Sequence, residues 1–277
     1  MLFVRQLRRL ALPTIAVLAA LLLLACSDTS TSFGRFYQGR TLHISVVEIK
    51  QVPEIRYSTI DPEEVIRHYR MIPSETDLEL VMVRMKVQNH TATSAIFTVD
   101  QQGAELRDFF RGTYQPLDVN NVVLQDMRGQ STATVRVNSG QCFDPRRMNI
   151  TVGTVVNWVN DDDVDQVVRL GEVAGQSETA EPTTLGPGES FTFTFNEVGD
   201  WEYKCGDSEL TEGTASIMVE EENDGYAVDE QAIEFITGPF ELLRDMGIDG
   251  WIVFEAPIGT KFRSMRWRAG DSITIDF

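Results

Sequence analysis

Short runs in which apolar and polar residues alternate recur along most of the chain. LHISVVEI, beginning at Leu42, and LELVMVRMKVQN, beginning at Leu78, place apolar side chains at every second position. This period is typical of β-strands that bury one face. SAIFTVDQQGAEL predicts a hairpin that turns at residues 100–103. The proline-bounded stretch DPEEVIRHYRMIPSETD predicts a helical turn, and no long helix is expected after residue 40.

Residues 131–222 continue the strand pattern but are denser in Val, Phe, Thr and Trp. Turn signals recur at residues 152–153, 186–188 and 199–200, so the strands between them are short and regularly spaced. This spacing predicts an antiparallel β-sandwich. The segment is also strongly acidic, with 18 acidic and 5 basic residues.

Residues 223–277 hold only three or four predicted strands, too few to bury a core of their own. Residues 41–130 also lack closing strands. We therefore predict that 41–130 and 223–277 are the two parts of one domain and that residues 131–222 are inserted between them, since insertion is tolerated where exposed ends lie close together. The predicted fold class is all-β, with two β-sandwich domains.

The N-terminus has the pattern of an export signal. Three arginines in MLFVRQLRRL precede an apolar run that ends at Ala25. The end of this run, LLAC, resembles the bacterial lipoprotein signal, in which the chain is cut before a cysteine that then receives lipid. The resemblance implies a signal peptide over residues 1–25, a lipid on Cys26 and a tether over residues 26–40. An uncleaved helix is the alternative, although the run is shorter than the roughly 20 residues that span a bilayer.

Charge and motif content limit the function classes. The net charge of −18 becomes more negative if the three arginines leave with the signal. An acidic surface repels nucleic acid and anionic lipid, so we expect no nucleic-acid partner, attachment to the membrane through the lipid, and an unidentified protein partner. No phosphate-binding loop, HExxH or GxSxG motif is present in the sequence, and no enzyme is predicted.

The flanking segments carry VMVRMKVQN, GWIVFEAP and DSITIDF in that order. Together these resemble a family of bacterial immunoglobulin-like lipoprotein modules related to telomere-repeat-factor-like extracellular domains. The resemblance implies an immunoglobulin-like sandwich with a binding or scaffolding role and no catalysis. It agrees with a location in the bacterial cell envelope, facing outside the cytoplasm.

The inserted segment carries FDP, MNITVGTVVNWVND and LGPGESFTFTFNEVGDWEYKC, followed by SIMVE. In this order they resemble a cupredoxin, the plastocyanin-like copper fold, over residues 142–219. The resemblance implies a Greek-key sandwich and a copper ion held by two histidines, a cysteine and a weak methionine. The residues at these four positions are Gln166, Cys205, Ser208 and Thr211.

Only Cys205 matches this ligand set, and the three histidines of the chain lie outside the segment. We therefore predict a degenerate site without a cofactor, in a lipid-anchored binding or structural protein. A copper-binding or electron-transfer protein with an atypical site around Cys205 is the alternative. Since the cupredoxin resemblance places Cys142 at the same end of the barrel, we predict a disulfide between Cys142 and Cys205. A thiolate pair that binds Cu(I) or Zn(II), or two inert thiols, would be the alternatives.

Acidic residues surround the degenerate positions. Carboxylate oxygens suit Ca²⁺, so a calcium site is the alternative to an ordinary solvated turn. The candidate residues are Asp161, Asp162, Asp163, Asp165, Asp207, Glu209 and Glu212.

Overall fold

The computed structural model describes residues 32–62, 64–173, 182–205, 214–222 and 233–277. Within these ranges the chain forms 22 β-strands and one four-residue helix. The predicted all-β class is therefore confirmed. The predicted signal peptide and Cys26 lie outside the described residues.

The chain before residue 131 forms nine strands and the helix. Their bounds are β1 (Tyr37–Gln38), β2 (Leu42–Val52), β3 (Ile55–Ile60), β4 (Ile66–Met71), β5 (Leu78–Asn89), β6 (Ser94–Phe97), β7 (Ala104–Asp108), β8 (Thr113–Tyr114), α1 (Val119–Val122) and β9 (Leu124–Asp126). The two alternating runs of the sequence analysis correspond to β2 and β5. The period-two pattern therefore located the two longest strands of this part of the chain.

The next nine strands lie between residues 132 and 220, and four more follow residue 232. The first group is β10 (Thr132–Asn138), β11 (Cys142–Asp144), β12 (Arg147–Thr151), β13 (Val155–Asn160), β14 (Gln166–Val173), β15 (Thr183–Leu185), β16 (Ser190–Thr194), β17 (Gly199–Cys205) and β18 (Thr214–Glu220). The last group is β19 (Phe240–Leu243), β20 (Gly247–Pro257), β21 (Phe262–Trp267) and β22 (Ile273–Asp276).

Strands from both ends of the chain form one sandwich, which we call the flank sandwich. One sheet has the order β1-β2-β5-β20, the other β22-β21-β7-β8, and β19 pairs with β6 beside them. The apolar faces enclose a core in which Trp267, Phe254 and Leu106 are fully buried. The tail strands are therefore integral to both sheets. The assignment of these segments to a split immunoglobulin-like domain stays a prediction.

Two predicted local elements are wrong. The stretch predicted to hold a helical turn contains β4, which pairs with β3 in an antiparallel hairpin. Asp61 closes this hairpin, since its carboxylate accepts the N–H of Val65 at 2.8 Å. The predicted hairpin around residues 100–103 does turn there, but its arms separate, because β6 pairs with β19 and β7 pairs with β21. An alternating apolar pattern predicts which face of a strand is buried, but it does not predict which strand pairs with it.

Strands β10–β18 form a second sandwich, which we call the insert sandwich. Its sheets have the orders β11-β10-β13-β16 and β15-β14-β17-β18-β12, and Trp158, Phe195 and Tyr203 are fully buried between them. The sandwich is not purely antiparallel as predicted, because β10 is parallel to β13 and β12 is parallel to β18. Parallel neighbours need long connections, and here those connections cross between the two sheets.

A continuous sheet joins the two sandwiches. The three-residue strand β9 is parallel to β12 on one side and antiparallel to β4 on the other. It extends the second sheet of the insert sandwich to the order β15-β14-β17-β18-β12-β9-β4-β3. Beneath β3 and β4, a third apolar cluster packs Tyr57 and Met71 against Leu80 and Val253 of the flank sandwich. The junction is therefore fixed by backbone hydrogen bonds and by buried side chains.

Candidate functional site

The described cysteines of the insert sandwich are bonded to each other. Cys142 begins β11 and Cys205 ends β17, with their Cα atoms 5.9 Å apart and a separation of 63 positions in sequence. The predicted disulfide is confirmed. The sulfur of Cys205 is therefore not a free thiolate, the form that binds a metal.

The other degenerate ligand positions contribute no imidazole or thioether. Gln166 begins β14, and its side-chain amide donates to the carboxylate of Asp162 at 2.8 Å. Ser208 and Thr211 lie outside the described residues. The donor set that the structure describes at this end is thus an amide and a bonded sulfur, which does not fit a type 1 copper ion.

Aromatic rings pack directly behind the disulfide. Phe143 follows Cys142, and its ring meets that of Tyr203 edge-on with centroids 4.5 Å apart. Trp158 meets Tyr203 in the same way at 5.7 Å. Burial raises the pKa of Tyr203, whose hydroxyl donates to the carbonyl oxygen of Pro145 at 3.4 Å. The core behind the disulfide is therefore occupied by the aromatic side chains of Phe143, Trp158 and Tyr203.

The acidic residues before β14 participate in turn structure. The carboxylate of Asp162 accepts the backbone N–H of Ser139 at 2.5 Å and its hydroxyl at 2.7 Å, and these bonds lower the pKa of Asp162. Asp161 lies 3.6 Å from Arg136, and Asp163 and Asp165 are exposed. The predicted partners Asp207, Glu209 and Glu212 lie outside the described residues, so the calcium site stays a prediction.

Among the described residues, no group of three or more His, Cys, Asp and Glu side chains is placed to hold a metal ion. All three histidines lie in the flank sandwich or in β4, as the sequence implied. His43 and His90 stack with ring centroids 4.0 Å apart. Burial, and then the charge of His90, lower the pKa of His43.

Ionic side chains connect the two sandwiches along the junction. They alternate in sign, and we call this set the junction ion-pair network. Its members, in spatial order, are Arg56, Glu54, Arg70, Glu220, Arg128 and Asp126. Equal numbers of both charges make the network neutral, which is the arrangement that partly buried charges require.

Arg70 lies at the centre of this network. Its guanidinium contacts Glu54 and Glu220 at 2.9 Å each and donates to the side-chain oxygen of Asn149 at 2.7 Å. The Arg70 side chain is 11% exposed, and Asn149 is fully buried. Because Arg70 belongs to β4 whereas Asn149 and Glu220 belong to the insert sandwich, one side chain ties the two units together.

Arg128 continues the network on the other side of Glu220. It binds both carboxylate oxygens of Asp126, at 2.8 and 2.7 Å, and contacts Glu220 at 3.2 Å. Burial alone would raise the pKa values of Asp126 and Glu220. Hydrogen bonds and charge, from Arg128 to Asp126 and from Arg70 and Arg128 to Glu220, outweigh burial and hold both pKa values below the usual range.

A cleft of about 390 Å³ lies beside the junction, between the two sandwiches. Its wall includes Ile72, Leu117 and Met218 as well as Arg147, Asp200 and Glu255. Arg147 donates to the carbonyl oxygen of Asn121 at 2.8 Å and to the hydroxyl of Ser216 at 3.3 Å. Burial lowers the pKa of Arg147, and the charge of Asp200 opposes that effect. Half of its lining residues are polar or charged, so the cleft has a mixed surface on which both apolar and charged groups are available for contact.

No helix among the described residues is long and apolar enough to cross a membrane.

Comparisons with known proteins return cupredoxins among solved structures. No family model and no curated protein matches this chain. The chain is similar to a purple cupredoxin from Nitrosopumilus maritimus, with 28% identity, coverage of 32% of this chain and 99% of that one, and a TM-score of 0.26. It is similar to an amicyanin from Paracoccus versutus, with 19% identity, coverage of 33% and 83%, and a TM-score of 0.29.

An oxidized mutant of amicyanin gives similar values, with 18% identity, coverage of 33% of this chain and 85% of that chain, and a TM-score of 0.29. These TM-scores are well below 0.5. The description of the insert sandwich therefore depends on its own strand pairing.

Sequence reasoning found the disulfide but not the junction. The two cysteines are the only pair left once Cys26 is set aside, whereas Arg70 and Glu220 are 150 residues apart. Both belong to ordinary strand stretches, in which single charges are common. No local signal distinguishes them from solvent-facing residues.

Proposed function

We propose that the protein is a lipid-anchored, extracytoplasmic binding or structural protein without catalytic activity. The observation that carries this proposal is the bond between Cys142 and Cys205. A type 1 copper site needs a free thiolate together with two imidazoles. The disulfide uses the sulfur that the cupredoxin resemblance assigns to the metal, and Gln166 offers an amide where an imidazole is expected. The sulfur atom thus has a structural role.

Two further features support a binding role. The junction sheet and its ion-pair network hold the sandwiches in one arrangement, so the cleft between them keeps its shape. Its lining combines apolar side chains with Arg147 and the carboxylates of Asp200, Glu202 and Glu255, which suits a partner segment that has both apolar and charged side chains. A preformed cleft of this kind lowers the entropic cost of binding.

A thiol count and a metal titration test the absence of a copper role. Protein purified from an oxidising compartment is alkylated without reduction, its intact mass is measured, and copper is then added. We expect no free thiol at Cys142 or Cys205, no bound copper and no visible absorption band. The variant Cys142→Ser, which frees Cys205, is the matched control for metal uptake. Two free thiols and stoichiometric copper in the parent chain would instead favour the copper-binding alternative.

Lipid anchoring is tested separately. Membrane and soluble fractions are compared for the parent chain and for Cys26→Ser, and the mass of the N-terminal peptide is determined. We expect the parent chain in the membrane fraction with a lipid on Cys26. A mature parent chain that carries no lipid would contradict this part of the proposal and leave the metal result unaffected.

A further inference from the structure

The turn between β7 and β8 exposes two adjacent phenylalanines. Phe109 is 61% exposed and Phe110 is 91% exposed, the highest value for a large hydrophobic side chain among the described residues. Because its ring stays in water, each exposed phenylalanine lacks the favourable free energy of burying apolar surface. Paired exposure of this kind marks a contact surface more often than a single exposed side chain does.

Hydrogen bonds hold this turn in its exposed form. The carboxylate of Asp108 accepts the backbone N–H groups of Phe110 at 2.8 Å and Gly112 at 2.6 Å, and the hydroxyl of Tyr114 at 3.0 Å. Arg111 occupies the left-handed region with φ of 73°. The rings of Phe109 and Phe110 therefore project from a turn with a defined backbone, which we call the aromatic turn (residues 109–112).

The turn between β20 and β21 lies at the same end of the flank sandwich. Asp108, at the base of the aromatic turn, is opposite Phe262 at the start of β21, and the ring of Tyr114 meets that of Phe262 at 5.7 Å. Ile258 in the β20–β21 turn is 65% exposed. This end of the sandwich thus presents three large apolar side chains to solvent.

Basic residues surround these apolar side chains. Arg111, Lys261 and Arg263 are exposed, and none forms an ion pair with a described residue. Asp276, an exposed acid on β22, lies in the same region, opposite Ser264. The N–H of Ile258 donates to the carbonyl oxygen of Asp77, that of Gly259 to the carboxylate of Glu79, and Asp108 is the base of the aromatic turn. Cations and carboxylates are therefore present at this end in similar numbers.

The described chain also begins near this end. The ring of Phe33 packs against that of Phe277 with centroids 5.3 Å apart, and the N–H of Phe277 donates to the carbonyl oxygen of Arg263 at 2.8 Å. Six residues, 27–32, separate Phe33 from Cys26. An extended chain advances at most about 3.6 Å per residue, which places Cys26 within roughly 25 Å of Phe33.

We propose that the aromatic turn and Ile258 insert into the surface of the membrane that holds the lipid of Cys26. This inference rests on the lipid anchoring proposed above. A lipid on a short tether keeps the protein at the membrane but leaves its orientation free. Apolar side chains at headgroup depth add a second attachment, and the exposed Arg111, Lys261 and Arg263 lie where they can contact lipid headgroups. The insert sandwich is then held at one height and angle above the membrane.

Fluorescence quenching in vesicles tests the insertion directly. The lipidated chain carrying Phe110→Trp is reconstituted into vesicles whose acyl chains are brominated, and the emission added by the new tryptophan is measured. The matched control is Val164→Trp, at a turn of the insert sandwich that is 51% exposed. We expect quenching for Phe110→Trp and none for Val164→Trp. Equal quenching of the two variants, or none in either, would overturn the proposal.

Partitioning without the lipid separates this inference from the anchoring proposal. The chain from residue 27 onward, which keeps every described residue, is mixed with vesicles that contain anionic lipid. Changing Phe109 and Phe110 together to Ser should lower partitioning by about tenfold or more, because two rings are lost from the contact. Ile96→Ser, which removes a 70% exposed side chain from β6, is the control and should change nothing. Unchanged partitioning of the double variant would contradict insertion. The anchoring proposal is contradicted separately, if the mass measurement on the parent chain finds no lipid on Cys26.

Discussion

The two sandwiches are closed in different ways. The insert sandwich carries a covalent bond between Cys142 and Cys205, which are 63 residues apart. The flank sandwich has no disulfide among its described residues, and its sheets are completed by pairing β20 with β5 and β21 with β7. The insert sandwich is thus formed within one continuous segment of the chain. The flank sandwich depends on residues that follow that segment, and the difference can be tested by removing each closure.

Removing the tail should have the largest effect. Without residues 233–277 the flank sandwich loses β19–β22, and the core around Phe254 and Trp267 cannot form. We expect proteolysis to digest residues 41–130 while a fragment close to 131–222 survives. Mass spectrometry of the digest identifies the surviving fragments, with the full chain as the control. Protection of residues 41–130 in the truncated chain would show that the tail is not needed for closure.

Removing the disulfide should destabilise the insert sandwich selectively. For a loop of 63 residues, the loop-entropy relation gives a loss of about 4 kcal/mol from the free energy of unfolding. Changing Cys142 and Cys205 together to Ser is expected to raise amide hydrogen exchange in β10–β18 and to leave β5 and β20 unchanged. Equal effects on both sandwiches would mean that they unfold as one cooperative unit.

Breaking the junction network should have a smaller effect and should weaken the coupling between the two sandwiches. Arg70→Met removes the contacts with Glu54, Glu220 and Asn149, after which Glu54 keeps only its pair with Arg56 and Glu220 only its pair with Arg128. Since these carboxylates are partly exposed, we expect a loss of roughly 1–3 kcal/mol, less than for a fully buried pair. Calorimetry should then show the unfolding transitions of the two sandwiches further apart than in the parent chain. The control is Arg84→Met, which breaks the exposed pair with Asp249 and is expected to leave their separation unchanged.

Acid should weaken the same junction by the smallest amount. Asp126 and Glu220 have pKa values below their usual range in the folded protein. Their contribution to stability is therefore present above the pKa values of the unfolded chain and is lost as the pH falls through the lower, folded values. Urea unfolding between about pH 6 and pH 3 should show this loss below about pH 4. In Arg70→Met the decline should be shallower, and an identical decline in both proteins would exclude the network as its source.

The sequence predicted strands far better than their partners. The runs that became β2 and β5 alternate because one face of each packs on the core, and that requirement is visible in a single segment. Pairing is decided by residues elsewhere in the chain. The arms around residues 100–103 therefore read as a hairpin, although each joins a strand near the C-terminus. For the same reason the parallel pair of β12 and β18 was missed.

The same distinction holds for the candidate site, in which one feature could be predicted from the sequence and two could not. The disulfide could be predicted because few cysteines are available and the resemblance placed two of them at one end of a sandwich. The cleft and the junction network could not be predicted, since Arg70 meets Glu220, and Arg147 meets Asn121, only when the insert sandwich docks on β4 and β9. Their charges look like those of any solvent-facing strand position until that docking is known.

The short strand β9 leads into the insert sandwich and β18 leads out of it, and the two lie on either side of β12. Neighbouring strands are about 4.8 Å apart, so the incoming and outgoing segments cross the junction about 10 Å from each other. For protein engineering, this makes the junction an insertion site. A foreign domain whose two ends lie side by side can replace residues 131–222 without distorting the flank sandwich, which would then display that domain.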